Sequence, residues 1–158
     1  MTDQAFEHEN EHPWRWVPAG ALKTRRALFL GEMDRLLPWA RWVDLIEPHY
    51  PKRGNGRPPY PLAPMLRLYM VQQWWKLSDR AAQEWATDSV AVRHFMGLPL
   101  TWDKGAPDES TFASFRRMLA RRGLAVEIAT EAAAAIDGQG WKLRPGENTE
   151  PAIMATAI

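Results

Sequence analysis

In the stretch PDESTFASFRRMLARRG, residues 107–123, the side chains Ser110, Ser114, Arg117 and Arg121 recur at steps of four, three and four, which places them along one face of a helix. Hydroxyls followed by guanidinium groups can donate to phosphate oxygens and to the acceptors on base edges, so this face could contact a duplex. Phe112, Phe115 and Leu119, at i, i+3 and i+7, fall on another face and would anchor the helix in a core. Thr111 adds a hydroxyl near the start, and Arg116 and Arg122 stand on the flanks, where phosphates would be met. Asp108 or Ser110 can cap the first turn; alternatively Asp108 and Glu109 could accept from a cytosine amino group. The arginines near the end oppose the negative pole of the helix dipole. A capped, charge-balanced surface helix would carry the same residues, so this face alone leaves solvation and nucleic-acid contact both open.

The segment SDRAAQEWATDSVAVRHFMG, residues 78–97, reads as two short helices with a tight joint, capped by Ser78 and Ser89 and ended by Gly97. Followed by the hydroxyl-and-arginine helix, this is a helix-turn-helix-like order, and such a helix fits a major groove about 12 Å wide. The basic run KRGNGR could act as an arm, with Lys52, Arg53 and Arg57 reaching phosphates or a minor groove; a solubilising loop would look the same.

Other chemistries are weaker. HENEH, residues 8–12, spells the H-E-x-x-H zinc pattern, but Pro13 follows at once and nothing apolar holds the turn, so no metal site is expected. Asp79, Glu84 and Asp88 are spaced for solvent rather than for a shared ion, and His94 reads as a helix-surface residue. The absence of cysteine excludes disulfides, zinc–cysteine sites and thiol nucleophiles. The nine tryptophans, Trp74 and Trp75 among them, suit a helical core. Gln72 and Gln73 beside them must find partners if buried, and would link helices or mark a partner surface.

The elements that must position these residues are helical. TRRALFLGEMDRLL puts Leu28, Phe29, Met33, Leu36 and Leu37 at helical spacing, and Pro38 opens a second helix, PWARWVDLIE. EPHYPKRGNGRPPYP, with five prolines and two glycines, is an extended connector containing a turn. LAPMLRLYMVQQWWKL is apolar on nearly all sides except at Arg67, Gln72, Gln73 and Lys76, which predicts the central helix of a bundle. LAVEIATEAAAAI forms a last helix before DGQG, and WKL suggests a single strand. The expected fold is all-α, a compact multi-helix bundle of about seven helices. Residues 1–22 are expected to form a flexible acidic arm, 23–140 the helical domain, and 141–158 a short irregular tail.

Net charge is +1, but residues 52–122 hold twelve Lys or Arg against six Asp or Glu, while residues 1–51 hold six against eight and residues 123–158 two against five. A basic middle between acidic ends suits a phosphate-binding surface. No run approaches the roughly 18 apolar residues that span a bilayer, so a soluble cytoplasmic protein with no membrane partner is expected.

From about Leu28 to about Gly140, the pieces GEMD, PW, IEPHYPK, GNGRPPYPL, MLR, QQWW, LSD and PDESTFASFRRML occur in an order and at separations that resemble the N-terminal domain of bacterial transposases of the insertion-sequence-five family. The resemblance implies binding to double-stranded DNA at the terminal inverted repeats of a mobile element. It also implies cutting and strand transfer by a ribonuclease-H-like domain with two aspartates, a glutamate and magnesium. In WKLRPGENTEPAIMATAI, Glu147 to Ala152 depart from that pattern and no aspartate follows Asp137, so none of the three carboxylates carries over. The expectation is therefore a truncated transposase domain that binds DNA without catalysis and needs no cofactor, magnesium belonging to the missing part. A protein-interaction module that pairs with another copy or with a full-length transposase and inhibits it, and an inert remnant, are the alternatives.

Overall fold

Residues 24–99, 105–146 and 149–156 are described by a computed structural model; the expected N-terminal arm and the HENEH motif lie outside them. In chain order the elements are α1 (Arg25–Leu36), α2 (Trp39–Ile46), a 3-10 turn (Glu47–His49), α3 (Leu62–Trp75), α4 (Asp79–Asp88), α5 (Val90–Met96), α6 (Glu109–Arg121), α7 (Leu124–Asp137), β1 (Trp141–Arg144) and β2 (Ala152–Ala155). The helix starts are set by side chains that accept an orphan amide: Thr24 from Ala27, Ser78 from Ala81, Ser89 from Val92 and Asp108 from Thr111. α5 ends at Gly97 and α7 begins after Gly123, with φ of 78° and 71°, a region glycine enters without steric cost. Lys76, with φ of 53°, ends α3 in the same conformation despite its side chain.

α3 organises the core. Nine of its fourteen residues are buried, and Trp74 meets Phe29 and Trp39 edge-on with ring centroids 5.3 and 6.5 Å away. Such contacts add to the large apolar area each ring withdraws from water. α1, α4, α5 and α6 also pack around this helix or its neighbours, as the expected bundle requires.

Three residues sit differently from the helical-pattern expectation. Leu28 is 60% exposed, because α1 turns Ala27, Leu30 and Met33 inward and Leu28 lies about 200° around the helix from Leu30. His94 is buried rather than on the surface, since α5 is so short and so enclosed that six of its seven residues are buried. Burial pushes its imidazole pKa down, against the attraction of Asp34. Arg67 is drawn inside as well: it pairs with Asp34 at 2.7 Å, donates to the Phe95 carbonyl at 3.0 Å and stacks over Trp39 and Phe95. A buried guanidinium needs that many partners to offset its lost hydration.

The C-terminal segment is more regular than a tail. β1 and β2 pair antiparallel, with Trp141 opposite Ala155 and Arg144 opposite Ala152. The turn between them is fastened to the helices, since Glu150 accepts from Arg26 at 3.1 Å and from the Trp75 indole at 2.6 Å, and Gly146 N–H donates to the Trp74 carbonyl at 2.8 Å. WKL supplies one strand by its alternation; its partner AIMA has no polar face to mark it and is a strand only because β1 offers a free edge. Among the described residues no helix is long and apolar enough to cross a membrane.

Candidate nucleic-acid interface

α6 is held from beneath and open above. Phe112 and Leu119 have no exposed surface and Phe115 is 4% exposed, so three turns of the helix are pinned to the core. On the outside Ser110, Thr111, Ser114, Arg117, Arg121 and Arg122 are all exposed. Asp108 closes the helix start, accepting from Thr111 N–H at 2.7 Å and from the Ser110 hydroxyl at 3.0 Å. These bonds, first the side-chain and backbone contacts with Thr111 and then Ser110, hold its carboxyl below the usual range.

The proline-rich connector, residues 51–61, runs beside this helix, and aromatic residues at its two ends attach it. The Tyr50 hydroxyl donates to the Tyr60 carbonyl, which closes the connector into a loop. The Tyr50 ring packs edge-on against Phe115 with centroids 5.8 Å apart, and Tyr60 donates to the Gly105 carbonyl at 3.3 Å. Burial pushes both phenols up to about 12, so both remain protonated donors at neutral pH.

Connector and helix together enclose an open groove of about 560 Å³. Lys52 and Arg57 line it from the connector, and Thr111, Ser114, Arg121 and the cap residue Arg122 line it from α6; among the described residues no Asp or Glu lines it. Six of the ten residues singled out from the sequence are thus brought to one place. Arg53 is exposed on the connector but outside that lining, and Ser110 lies one turn away with its hydroxyl turned to Asp108.

The remaining two arginines face the other flank. Arg116 grips Asp79 at the start of α4 through two parallel bonds, Nε to Oδ1 and Nη2 to Oδ2, each 2.8 Å. Asp79 also accepts from the buried Gln72 amide at 2.8 Å. Arg116 foremost, then Gln72 and the charge of Arg117, hold the Asp79 carboxyl below its ordinary value, against desolvation. Asp79 is therefore a fixed link between α3, α4 and α6 rather than a solvated helix charge, and Arg116 is not free on its flank. Arg117 donates through Nε to the Ala113 carbonyl of its own helix at 3.2 Å and stays exposed.

The sequence pattern marks neither Tyr50 nor Tyr60, which fix the connector, and it shows Asp79, which divides the arginines, only as a solvated helix charge. The two tyrosines carried a usable signal: each stands beside a proline at one end of an otherwise polar, flexible segment. Among the described residues no group of three or more His, Asp or Glu is placed to hold a metal ion.

No solved structure matches the chain. The sequence pattern of the family described as Transposase domain (DUF772) matches residues 17–118, a span that takes in the connector, the α4–α5 pair and most of α6. Since that match covers more than half of the 158 residues, the chain belongs to the transposase domain (DUF772) family.

Proposed function

We propose that this chain is the DNA-binding part of a transposase of the insertion-sequence-five type, and that it holds double-stranded DNA at the terminal inverted repeats of its element. The observation that carries the reading is the groove itself. Hydroxyls and arginines from α6 and cations from a separate connector converge on a surface that no Asp or Glu lines among the described residues. In this reading α6 enters the major groove, with Thr111, Ser114 and Arg121 toward base edges and Arg122 toward phosphate, while Lys52, Arg53 and Arg57 follow the adjacent backbone. The preceding pair α4 and α5 supports α6 in the manner of a helix-turn-helix, through the contacts of α4 with α6. No phosphodiester chemistry is assigned to these residues, and no cofactor is required for binding.

The test is a salt titration of binding to a labelled duplex carrying the element's terminal repeat. Neutralising about five phosphates gives a slope of log affinity against log salt near −4.5. A slope near zero, or equal affinity for the repeat and for random duplex at every salt concentration, would defeat the assignment to element ends.

A second reading, a module that pairs with another transposase copy, draws on a different surface. An apolar groove of about 590 Å³ lies between α3, α7 and β1, and Val126 beside it is 72% exposed. Co-purification with a tagged transposase that persists in nuclease and fails for Val126→Glu would favour it.

A further inference from the structure

Four arginines project from the last two turns of α6 and its cap, yet one carboxylate sits among them. Asp79 accepts side-on from Nε and Nη2 of Arg116, at 2.8 Å each, and its charge also acts on Arg117. The pair is wet at its rim, the two side chains being 39% and 19% exposed, so solvent screens it even though its bidentate geometry makes it firmer than an ordinary surface pair. The carboxylate is nevertheless placed with care: Gln72, only 5% exposed, donates its amide to Asp79, and Asp79 occupies the first position of α4, where the helix dipole favours a negative charge. A buried amide is thus committed to orienting a carboxylate that is itself partly exposed. On the opposite flank no Asp or Glu among the described residues lines the groove, and Asp108 at the start of α6 acts on Arg57 only by its charge, with no bond to it.

Building on the DNA-binding reading, we propose that Asp79 is a specificity-determining residue: it withholds Arg116, and damps Arg117, so that phosphates of any sequence gain little from these two arginines. A carboxylate held beside the path of a phosphate backbone repels it, and a guanidinium whose charge that carboxylate already offsets neutralises little of a phosphate and so displaces few counterions from the duplex. Binding then depends on the groove flank, where hydroxyls and arginines can meet base edges, and affinity for random duplex is held down.

The experiment uses the full chain with two labelled duplexes, the terminal repeat and a random sequence, in salt titrations on wild type, Asp79→Asn, Arg116→Ala and the double variant, with thermal melting of each. Asp79→Asn should bind random duplex more tightly, with a slope steeper by about 0.9 for each phosphate newly engaged, and should lose discrimination between the duplexes. Arg116→Ala leaves the Asp79 carboxylate without its partner, so it should bind random duplex no more tightly than wild type and with an unchanged slope, and the double variant should lose the gain. A merely structural tie would change melting and leave the slopes alone. If Asp79→Asn melts normally with an unchanged slope, the proposal fails while DNA binding stands. If Arg116→Ala makes the salt slope shallower by about 0.9, the loss of one phosphate contact, Arg116 is already engaged and the proposal is overturned; that arm decides even where Asp79→Asn does not fold. If neither wild type nor Asp79→Asn binds duplex with any salt dependence, the DNA-binding reading itself falls.

Discussion

The two flanks of α6 carry the same residue type and put it to opposite uses. Toward the connector, Arg121 and Arg122 stand exposed beside Lys52 and Arg57 with no acid among the groove-lining residues. Toward α4, Arg116 is bonded twice to Asp79, which Gln72 holds from the core. An arginine's role is therefore set less by its place on a helix than by what the neighbouring element brings opposite it. The connector brings cations and α4 brings a carboxylate.

The comparison can be broken from below, at the side chain that supports the groove flank. Phe115 lies under α6 with the rings of Tyr50 and Tyr69 against it, so Phe115→Ala should lower stability by about 3–5 kcal/mol, measured by denaturant unfolding, and release the connector. A loss under about 1 kcal/mol would mean that the connector is held by other contacts.

On the exposed face the expected effect is on binding alone. Arg121→Ala should weaken duplex binding by roughly 1–3 kcal/mol if the guanidinium reaches bases, with stability changed by no more than about 0.5 kcal/mol. Equal losses from Arg121→Ala and Arg116→Ala in fluorescence anisotropy would erase the distinction between the flanks.

Smaller effects concern how the helix and loop are held. Asp108→Ala removes the cap of α6 and should cost about 1 kcal/mol near neutral pH. Because the folded state holds the Asp108 pKa below its ordinary value, this contribution is fully present above the unfolded pKa of about 3.9 and disappears as pH falls through the lower folded value. Melting curves of wild type and variant should therefore converge in acid. Tyr50→Phe removes the bond that closes the connector and should cost about 0.5–1.5 kcal/mol, with a smaller loss of affinity than Arg121→Ala.

Much of the architecture was legible because it rests on local rules. The caps at Ser78, Ser89 and Asp108, the terminator Gly97, and the inward set Phe112, Phe115 and Leu119 all follow from spacing and side-chain type. The misread positions share one feature: their environment is made by residues distant in the chain. His94 is buried by neighbours of α5 that its own segment does not reveal. β2 needs β1 as a partner before AIMA has any reason to extend. Asp79 is read as solvated until Arg116, thirty-seven residues later, arrives opposite it.

By itself the sequence determined the helices, their ends, the apolar face of α6, and the chemistry available on its outward face. Those properties depend on backbone periodicity and on groups within four residues of one another. Only the tertiary structure decided that the connector and α6 share a groove, and that Asp79 takes Arg116 out of the exposed set. Both outcomes depend on groups meeting across folded elements at hydrogen-bonding and packing distances, and such contacts leave no period in the chain.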